Sequence, residues 1–306
     1  KIKIIHPESK GGKMPNMRYE APDSLDTAIE LLAGEKGDVR ILAGGTDILV
    51  QMHADVIEPE LLVDVKNISE LRQIEKEAGG YRFGAAVTGV ELMDHDDFCQ
   101  AWPGVMDGVK LIGSIQVKGR ATVGGNLCNA SPAADSVPAL IAAGALVTVA
   151  GPNGRRDIPV EEIAVGPGRT TLEKGGVIVS FFLPDPPSGT GGAYLRFTPR
   201  TEMDIAVVGV GIAMTLDDSG VCMDAKVSLG AVAERALVVE EAAQALIRSK
   251  LDEGTMDQLA AAVSAACRPI DDKRGTKEYR IKVAGVLARR AAAIALDRAK
   301  NNKGPN

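Results

Sequence analysis

The chain has 306 residues, of which 45% are hydrophobic and 25% are charged, and its net charge is −6. This composition is typical of a folded globular protein of two or three domains. The acidic balance argues against a general nucleic-acid binder or an anionic-membrane binder, since both need a basic face. The most apolar stretch, residues 138–150, is shorter than the roughly 20 residues of a membrane-spanning helix.

Residues 1–16 are polar and rich in glycine, and we expect a leader or flexible segment there. From residue 17 to 66 the pattern predicts a small parallel β-α-β-α-β unit. Its three strands are expected at residues 17–22, 39–43 and 61–65, where short apolar runs occur. Asp23 or Ser24 can cap the first helix, which Gly34 ends, and residues 47–54 form the second helix-like segment.

Residues 67–183 differ from the first unit in their pattern of predicted strands and helices, and we expect them to form a second unit. Strands are predicted at residues 81–86, 145–150 and 177–183, and helices at residues 90–93, 105–112 and 136–143. Between them, residues 121–135 (ATVGGNLCNASPAAD) consist of small and polar residues.

Residues 184–192 (PDPPSGTGG) give the strongest linker signal, and we place a domain boundary there. Beyond it, strands are predicted at residues 193–199, 206–216 and 222–233. Helices are predicted at residues 236–248, 255–267 and 277–300, followed by a tail at 301–306. Three strands followed by three helices indicate an α+β domain.

Two glycine pairs are candidate phosphate-binding elements. Gly44-Gly45 lies between a predicted strand and a predicted helix, and Gly124-Gly125 lies in the stretch of small residues. Adjacent glycines let the backbone approach a ligand and turn its N–H groups inward, which suits a pyrophosphate; either pair alone is also typical of a tight turn. Neither pair belongs to a GxGxxG fingerprint, and the sequence contains neither a P-loop nor a GxSxG elbow.

Short polar side chains follow the second glycine pair: Asn126, Asn129, Ser131 and Asp135. Such a set can bind the hydroxyls of a polyol such as ribityl or ribose, or it can serve Asx- and Ser-turns in a loop.

The cysteine and histidine spacing predicts no metal site. The closest of the four cysteines, Cys99 and Cys128, are far apart in sequence, and there is no CxxC or HExxH. Four buried or unreactive thiols of a cytosolic protein are the favoured interpretation.

Four segments together resemble the FAD-binding medium subunit of molybdenum hydroxylases, a family that includes the flavoprotein subunits of carbon monoxide dehydrogenase and xanthine dehydrogenase. They are ILAGGTDILVQM (41–52), LLVDVKNISEL (61–71), ATVGGNLCNASPAADSVPAL (121–140) and YLRFTPRTEMDIAVVGVGIAM (194–214). The resemblance runs from about residue 17 to 299. It implies an α+β protein in which two subdomains (17–66 and 67–183) form an FAD-binding fold of the vanillyl-alcohol-oxidase type. A C-terminal domain (193–300) would cover the flavin side and contact partner subunits.

The resemblance also implies cofactor-binding residues. The first pyrophosphate loop and its flanks match Leu42, Ala43, Gly44, Gly45, Thr46, Asp47 and Ile48, and the second matches Thr122, Gly124, Gly125 and Asn126. Polar positions along the ribityl and phosphate portion match Asn129, Ser131 and Asp135. An apolar contact to the flavin or adenine matches Ile178 or Val179, and positions near the isoalloxazine match Tyr194 and Arg196.

The function implied by the resemblance is electron transfer, with FAD on this chain and no catalytic side chain. The molybdopterin cofactor would lie on a large subunit and the [2Fe-2S] clusters on a small one, in a cytoplasmic complex expected to be a dimer of heterotrimers. Two other interpretations remain open from the sequence: a flavin-free scaffold subunit, which the intact glycines disfavour, and a stand-alone FAD oxidoreductase. No evident covalent flavin tether is present, and the C-terminal domain further disfavours the stand-alone enzyme.

Overall fold

The computed structural model describes residues 17–200 and 203–302. The expected leader (1–16), most of the expected tail, and Thr201 and Glu202 lie outside the described residues. Within the described ranges, no helix combines the length and the apolarity needed to cross a bilayer.

The first unit is the predicted parallel sheet. Its strands are β1 (Arg18–Glu20), β2 (Val39–Leu42) and β3 (Leu61–Asp64), in the order β1-β3-β2. Two helices connect them, α1 (Leu25–Gly34) and α2 (Ile48–His53). Ser24 caps α1, because its hydroxyl accepts the Thr27 N–H, and the apolar side of α1 is buried in the core beside β3. In contrast, α2 buries none of its residues.

The second unit contains a five-stranded antiparallel sheet in the order β4-β5-β10-β6-β7. The strands are β4 (Ile74–Glu77), β5 (Gly80–Gly84), β6 (Leu146–Gly151), β7 (Gly154–Pro159) and β10 (Val177–Pro184), and β8 (Ala164–Gly166) and β9 (Arg169–Thr170) form a separate hairpin. Its core includes Phe83 stacked on Phe181, with Phe98 at the edge of Phe83.

Six short helices lie between β5 and β6. They are α3 (Gly89–Met93), α4 (Asp96–Ala101), α5 (Pro103–Val109), α6 (Ile115–Lys118), α7 (Val123–Cys128) and α8 (Ser136–Ala142). The residues of α8 are all buried. This helix is placed between the second unit and the sheet that follows.

The third unit is a four-stranded antiparallel sheet followed by three helices. Its elements are β11 (Thr190–Phe197), β12 (Val208–Leu216), β13 (Cys222–Gly230), β14 (Leu237–Val238), α9 (Glu240–Leu246), α10 (Glu253–Ala266) and α11 (Lys277–Asn301). Successive residues of β11 face opposite sides of the sheet. A Cβ on Gly191 would lie 2.1 Å from the Ala295 carbonyl oxygen of α11, whereas Gly192 faces Gly104 of α5. The sheet is therefore covered by α11 on one face and by α5 and α8 on the other.

The end of α11 returns to the start of β11. The Gly189 N–H donates to the Asn302 carbonyl over 3.2 Å, and the Asn302 side-chain amide donates to the Thr190 carbonyl over 3.0 Å. The first and last parts of the third unit are thereby held side by side.

The predicted α+β class is confirmed, and several element boundaries are corrected. The expected linker 184–192 is shorter, because β10 continues through Pro184 and β11 begins at Thr190. The helix expected from residue 236 begins at Glu240, since Leu237 and Val238 pair with β13 instead. A short helix, α7, occupies part of the stretch 121–135, where turn chemistry was one interpretation.

Candidate functional site

A cavity of about 350 Å³ lies between the parallel sheet of the first unit and the second unit. The two glycine-containing segments, distant in sequence, form adjacent walls of it. Twelve of the residues singled out from the sequence line this cavity: Ala43, Gly44, Gly45, Thr46, Asp47, Ile48, Thr122, Gly124, Gly125, Asn126, Asn129 and Ile178.

The first glycine loop connects β2 to α2 and needs glycine at two positions for different reasons. Gly45 has φ +81°, in the left-handed region that side chains disfavour. A Cβ on Gly44 would lie 2.1 Å from the Arg120 carbonyl oxygen, so this position must be bare for the two loops to touch. Within residues 17–200 and 203–302, the backbone N–H groups of Gly44, Gly45 and Thr46 have no protein acceptor. These donors are free for a ligand in the cavity.

The second glycine pair lies in the first turn of α7. Thr122 caps this helix, because its hydroxyl accepts the Gly125 N–H over 3.0 Å. A Cβ on Gly124 would lie 2.6 Å from the Ala85 carbonyl oxygen, whereas one on Gly125 would meet only the Thr122 hydroxyl, at 3.0 Å. Gly124 therefore serves packing, and Gly125 keeps its cavity side open.

Side-chain amides join the two segments along the cavity. The Asn129 amide donates to the Asp47 carboxylate over 3.2 Å and accepts from the Gln51 amide over 3.2 Å. Asn126 is held separately, because its amide oxygen accepts the Ser136 hydroxyl over 2.7 Å. Burial raises the pKa of the Asp47 carboxyl above its ordinary value. These hydrogen bonds therefore connect the start of α2 to the end of α7, and the Asn129 amide holds the Asp47 carboxylate.

Backbone groups, rather than charged side chains, dominate the polar part of the cavity. Among the described residues that line it, Arg40 and Asp47 are the only charged ones. Ile112, Leu172 and Ile178 supply apolar walls. Burial raises the pKa of the Cys128 thiol to about 12, so this cavity thiol stays protonated and is a poor nucleophile at neutral pH. Such a cavity suits a ligand with an anionic centre, hydroxyl groups and a flat apolar part.

Five of the residues singled out from the sequence do not line the cavity: Leu42, Ser131, Asp135, Tyr194 and Arg196. Leu42 ends β2 and is buried, and the Ser131 hydroxyl accepts the Ala133 N–H within its own turn. Of the two alternatives on β10, Ile178 faces the cavity, whereas Val179 is buried in the core of the first unit.

Asp135, Tyr194 and Arg196 form a buried cluster of their own. The Tyr194 phenol donates to Asp135 Oδ1 over 2.8 Å, and Arg196 Nη1 donates to Asp135 Oδ2 over 2.6 Å. Burial raises the pKa of the Asp135 carboxyl, while Arg196 and Tyr194 lower it in part. Burial also raises the pKa of the Tyr194 phenol well above its usual range. The resemblance implied direct cofactor contacts here, and in the structure these three groups contact one another.

Sequence reasoning missed other cavity residues, among them Arg40, Gln51, Ile112, Gly168 and Leu172. Gln51 was within reach, since it lies four residues after Asp47 at a helical spacing that places both on one face. The others come from a strand edge and from irregular segments, and no motif marks them.

The comparisons with known proteins cover nearly the whole chain. Residues 15–186 match the family model described as the FAD binding domain in molybdopterin dehydrogenase, and residues 193–295 match the CO dehydrogenase flavoprotein C-terminal domain. The carbon monoxide dehydrogenase medium chain of Afipia carboxidovorans is 33% identical over 283 residues, which are 92% of this chain and 98% of that protein.

Two further relatives agree. The xanthine dehydrogenase FAD-binding subunit of Escherichia coli O157:H7 is 29% identical over 280 residues, covering 91% of this chain and 95% of that protein. The solved carbon monoxide dehydrogenase of Hydrogenophaga pseudoflava matches with a TM-score of 0.89 and 32% identity, covering 93% of this chain and 98% of that chain. The fold class expected from the sequence is confirmed over the length of these matches.

Proposed function

The chain belongs to the family of FAD-binding subunits of molybdopterin dehydrogenases, and on this premise we propose that it holds the FAD through which electrons pass from [2Fe-2S] clusters of a partner subunit to an external acceptor. The observation that carries the proposal is the meeting of the two glycine loops at one cavity, where backbone N–H groups remain free.

The residues present fit the cofactor. The free N–H groups of Gly44, Gly45 and Thr46, with the open side of Gly125, would hold the pyrophosphate without a cationic side chain. Asn126 and Asn129 would bind hydroxyl groups of the ribityl chain, and Ile112 and Ile178 would contact the rings. The direct contacts expected of Leu42, Ser131, Asp135, Tyr194 and Arg196 remain predictions.

The side chains of this subunit would bind and orient the cofactor, while bound FAD would supply one- and two-electron redox chemistry. No cavity residue needs to act as a general base. The Cys128 thiol stays protonated near neutral pH, and the Asp47 carboxylate is held by the Asn129 amide. The subunit thereby shapes the cofactor site without adding an acid–base step of its own.

The names of the relatives support partner subunits, since they are a medium chain, an FAD-binding subunit and a subunit alpha of a dehydrogenase complex. We propose a small subunit with [2Fe-2S] clusters and a large subunit with the molybdopterin cofactor, assembled as a dimer of heterotrimers. We propose also that the chain divides into FAD-binding subdomains at 17–66 and 67–183 and a C-terminal domain at 193–300.

The test uses the full chain expressed without partners. We expect a yellow protein that releases FAD on denaturation and is bleached by dithionite under anaerobic conditions. Organic substrates of the assembled enzyme should bleach it only after the small and large subunits are added. Colourless protein that takes up no added FAD would contradict the cofactor assignment. Bleaching of the isolated chain by an organic substrate would instead favour a stand-alone oxidoreductase.

A further inference from the structure

A buried ion pair joins the third unit to the second unit beside the cavity. Arg196 lies on β11, and Asp135 immediately precedes α8. Their side chains are 7% and 9% exposed, and 2.6 Å separates Arg196 Nη1 from Asp135 Oδ2. Breaking such a pair on one side leaves a buried charge without compensation, which is costly in proteins. The arrangement is therefore fixed tightly between the two units.

The Arg196 guanidinium also contacts two main-chain carbonyl oxygens, that of Asp204 at 3.5 Å and that of Leu111, and the second of these leads to the cavity. The same Nη1 donates to the Leu111 carbonyl oxygen over 3.0 Å. Ile112, the next residue, lines the cavity, although it lies in an irregular segment between α5 and α6. The Ile112 N–H donates to the Val109 carbonyl at the end of α5 over 3.2 Å, and the Arg196 hydrogen bond holds the carbonyl of the residue before it.

Asp135 is also connected to the cavity, through the chain segment that it ends. It ends the segment that begins at Asn129, whose side chain lines the cavity. The Asp135–Arg196 pair thus lies next to one cavity wall and at the end of a segment that supplies another. No described residue of the third unit lines the cavity itself.

We infer that Arg196 is a positioning residue for the FAD site: by joining Asp135 to the Leu111 carbonyl, it lets the third unit hold the Ile112 wall against the cofactor. The inference rests on the proposed FAD site and assigns the third unit a part in cofactor binding. In this inference Arg196 acts through the main chain of residues 111–112, and the experiment below distinguishes that action from direct contact with the cofactor.

A second, more exposed ion pair across the same boundary provides a control for the loss of an ion pair there. Arg298 of α11 forms a bidentate pair with Asp107 of α5, at 2.6 and 3.1 Å, and donates to the Gly192 carbonyl. Asp107 also accepts the Tyr194 N–H. Neither Asp107 nor Arg298 lines the cavity or contacts a residue adjacent to its lining at Leu111–Ile112. Loss of this pair should weaken the boundary without disturbing the wall.

The test compares two neutralised pairs in the full chain freed of flavin. In Asp135→Asn/Arg196→Met both charges of the first pair are removed together, so no buried charge is stranded. In Asp107→Asn/Arg298→Met the second pair is treated alike. We expect the first variant to bind FAD about 10-fold more weakly than the wild type and the second to bind it with wild-type affinity.

Hydrogen exchange separates a local effect from a general loss of stability, because a general loss would not speed up exchange at one segment alone. Residues 110–113 should exchange faster in the first variant and not in the control. If the methionine variant does not fold, Asp135→Asn/Arg196→Gln allows the same comparison, since the shorter amide falls short of the Leu111 carbonyl. Wild-type FAD affinity in the folded first variant would overturn the inference while leaving the proposed function intact.

A double-mutant cycle separates action through the wall from direct contact. Ile112→Ala should weaken FAD binding by itself. Added to Asp135→Asn/Arg196→Met, it should weaken binding further by much less than it does in the wild type, because both changes remove the same contact. Additive losses would mean that Arg196 acts independently of Ile112, and the inference would be wrong. Failure of the wild-type chain to bind FAD would instead refute the proposed function.

Discussion

The Tyr194 phenol donates a hydrogen bond of 2.8 Å to the Asp135 carboxylate, across the boundary between β11 and the start of α8. Tyr194 is 2% exposed, so this bond has no water to replace it. Tyr194 also lies beside Gly209, where a Cβ would approach the phenol oxygen to 2.4 Å. The Tyr194 phenol thus lies over Gly209 of the sheet, where there is no side chain, and its hydroxyl reaches the buried Asp135 carboxylate.

We expect Tyr194→Phe to lower the free energy of unfolding by about 1–3 kcal/mol, because one acceptor of the buried carboxylate loses its donor. Urea unfolding of the apoprotein measures this. Tyr19→Phe is the matched control, since Tyr19 also donates to a carboxylate, Asp64, but is 54% exposed. Its loss should be about 0.5 kcal/mol or less. Equal losses in the two variants would show that burial is not what makes the Tyr194 bond matter.

The two glycine loops should respond differently to a single added methyl group. Gly44→Ala would place a Cβ against the Arg120 carbonyl, so we expect both thermal stability and FAD binding to fall. Gly125→Ala meets only the Thr122 hydroxyl, so we expect near-normal thermal stability of the apoprotein with weakened FAD binding. Melting curves and FAD titrations check both. Unchanged FAD affinity in Gly125→Ala would show that its backbone does not approach the cofactor.

Asn129→Asp should make FAD binding dependent on pH. The new carboxylate would lie beside Asp47, whose pKa burial already raises, and two adjacent carboxylates resist ionising together. At low pH the pair holds a proton, and as pH rises it becomes fully ionised next to the pyrophosphate. FAD affinity of this variant should therefore fall more steeply between pH 5 and 8 than that of the wild type, as measured by titration across about three pH units.

Asn129→Ser is the control for that experiment, because it removes the amide without adding a charge. Its FAD affinity should be lower than that of the wild type but should follow the wild-type pH profile. Parallel profiles for all three proteins would place the pyrophosphate away from Asp47.

The four thiols should differ in reactivity in a way that their burial dictates. Burial raises the pKa of Cys128 to about 12 and those of Cys222 and Cys267 to about 11. At pH 8 the Cys128 thiol is therefore almost entirely protonated. Cys99 and Cys128 are both half-buried by exposed surface, but the pKa of the Cys99 thiol is raised without the large shift of Cys128. Iodoacetamide labelling of the native chain at pH 8, read by peptide mass spectrometry, should modify Cys99 first; rapid labelling of Cys128 would contradict this.

Local sequence pattern predicted the elements that bury a continuous apolar run or carry a cap. The strands at 61–65 and 177–183 and the helix capped at Ser24 are examples. It did not reveal β7, whose first four residues are exposed and polar, because this strand exists by pairing with β6. It also assigned Leu237 and Val238 to a helix, although their pairing with β13 decides their conformation.

In the candidate site too, local pattern predicted some residues, while the contacts of others depend on tertiary packing. The glycine pairs could be predicted from the sequence, because three of their positions require glycine. Gly44 and Gly124 allow a close backbone approach, and Gly45 allows a positive φ. Asp135 was singled out as a short polar side chain after the second glycine pair and Arg196 through the family resemblance, yet the contact between them depends on how β11 packs against the start of α8. No sequence pattern marks Ile112 as a cavity residue, because it is an isoleucine in an irregular segment. Only the structure shows that the residue before it is bonded to Arg196.

The bonds of Asn302 to Gly189 and Thr190 have a practical consequence for protein engineering. The end of α11 lies beside the point where the chain enters the third unit, so a segment attached there lies close to the 185–189 connection. A fluorescent reporter or affinity handle fused after residue 302 would emerge beside the 185–189 connection, away from the opposite edge of the sheet.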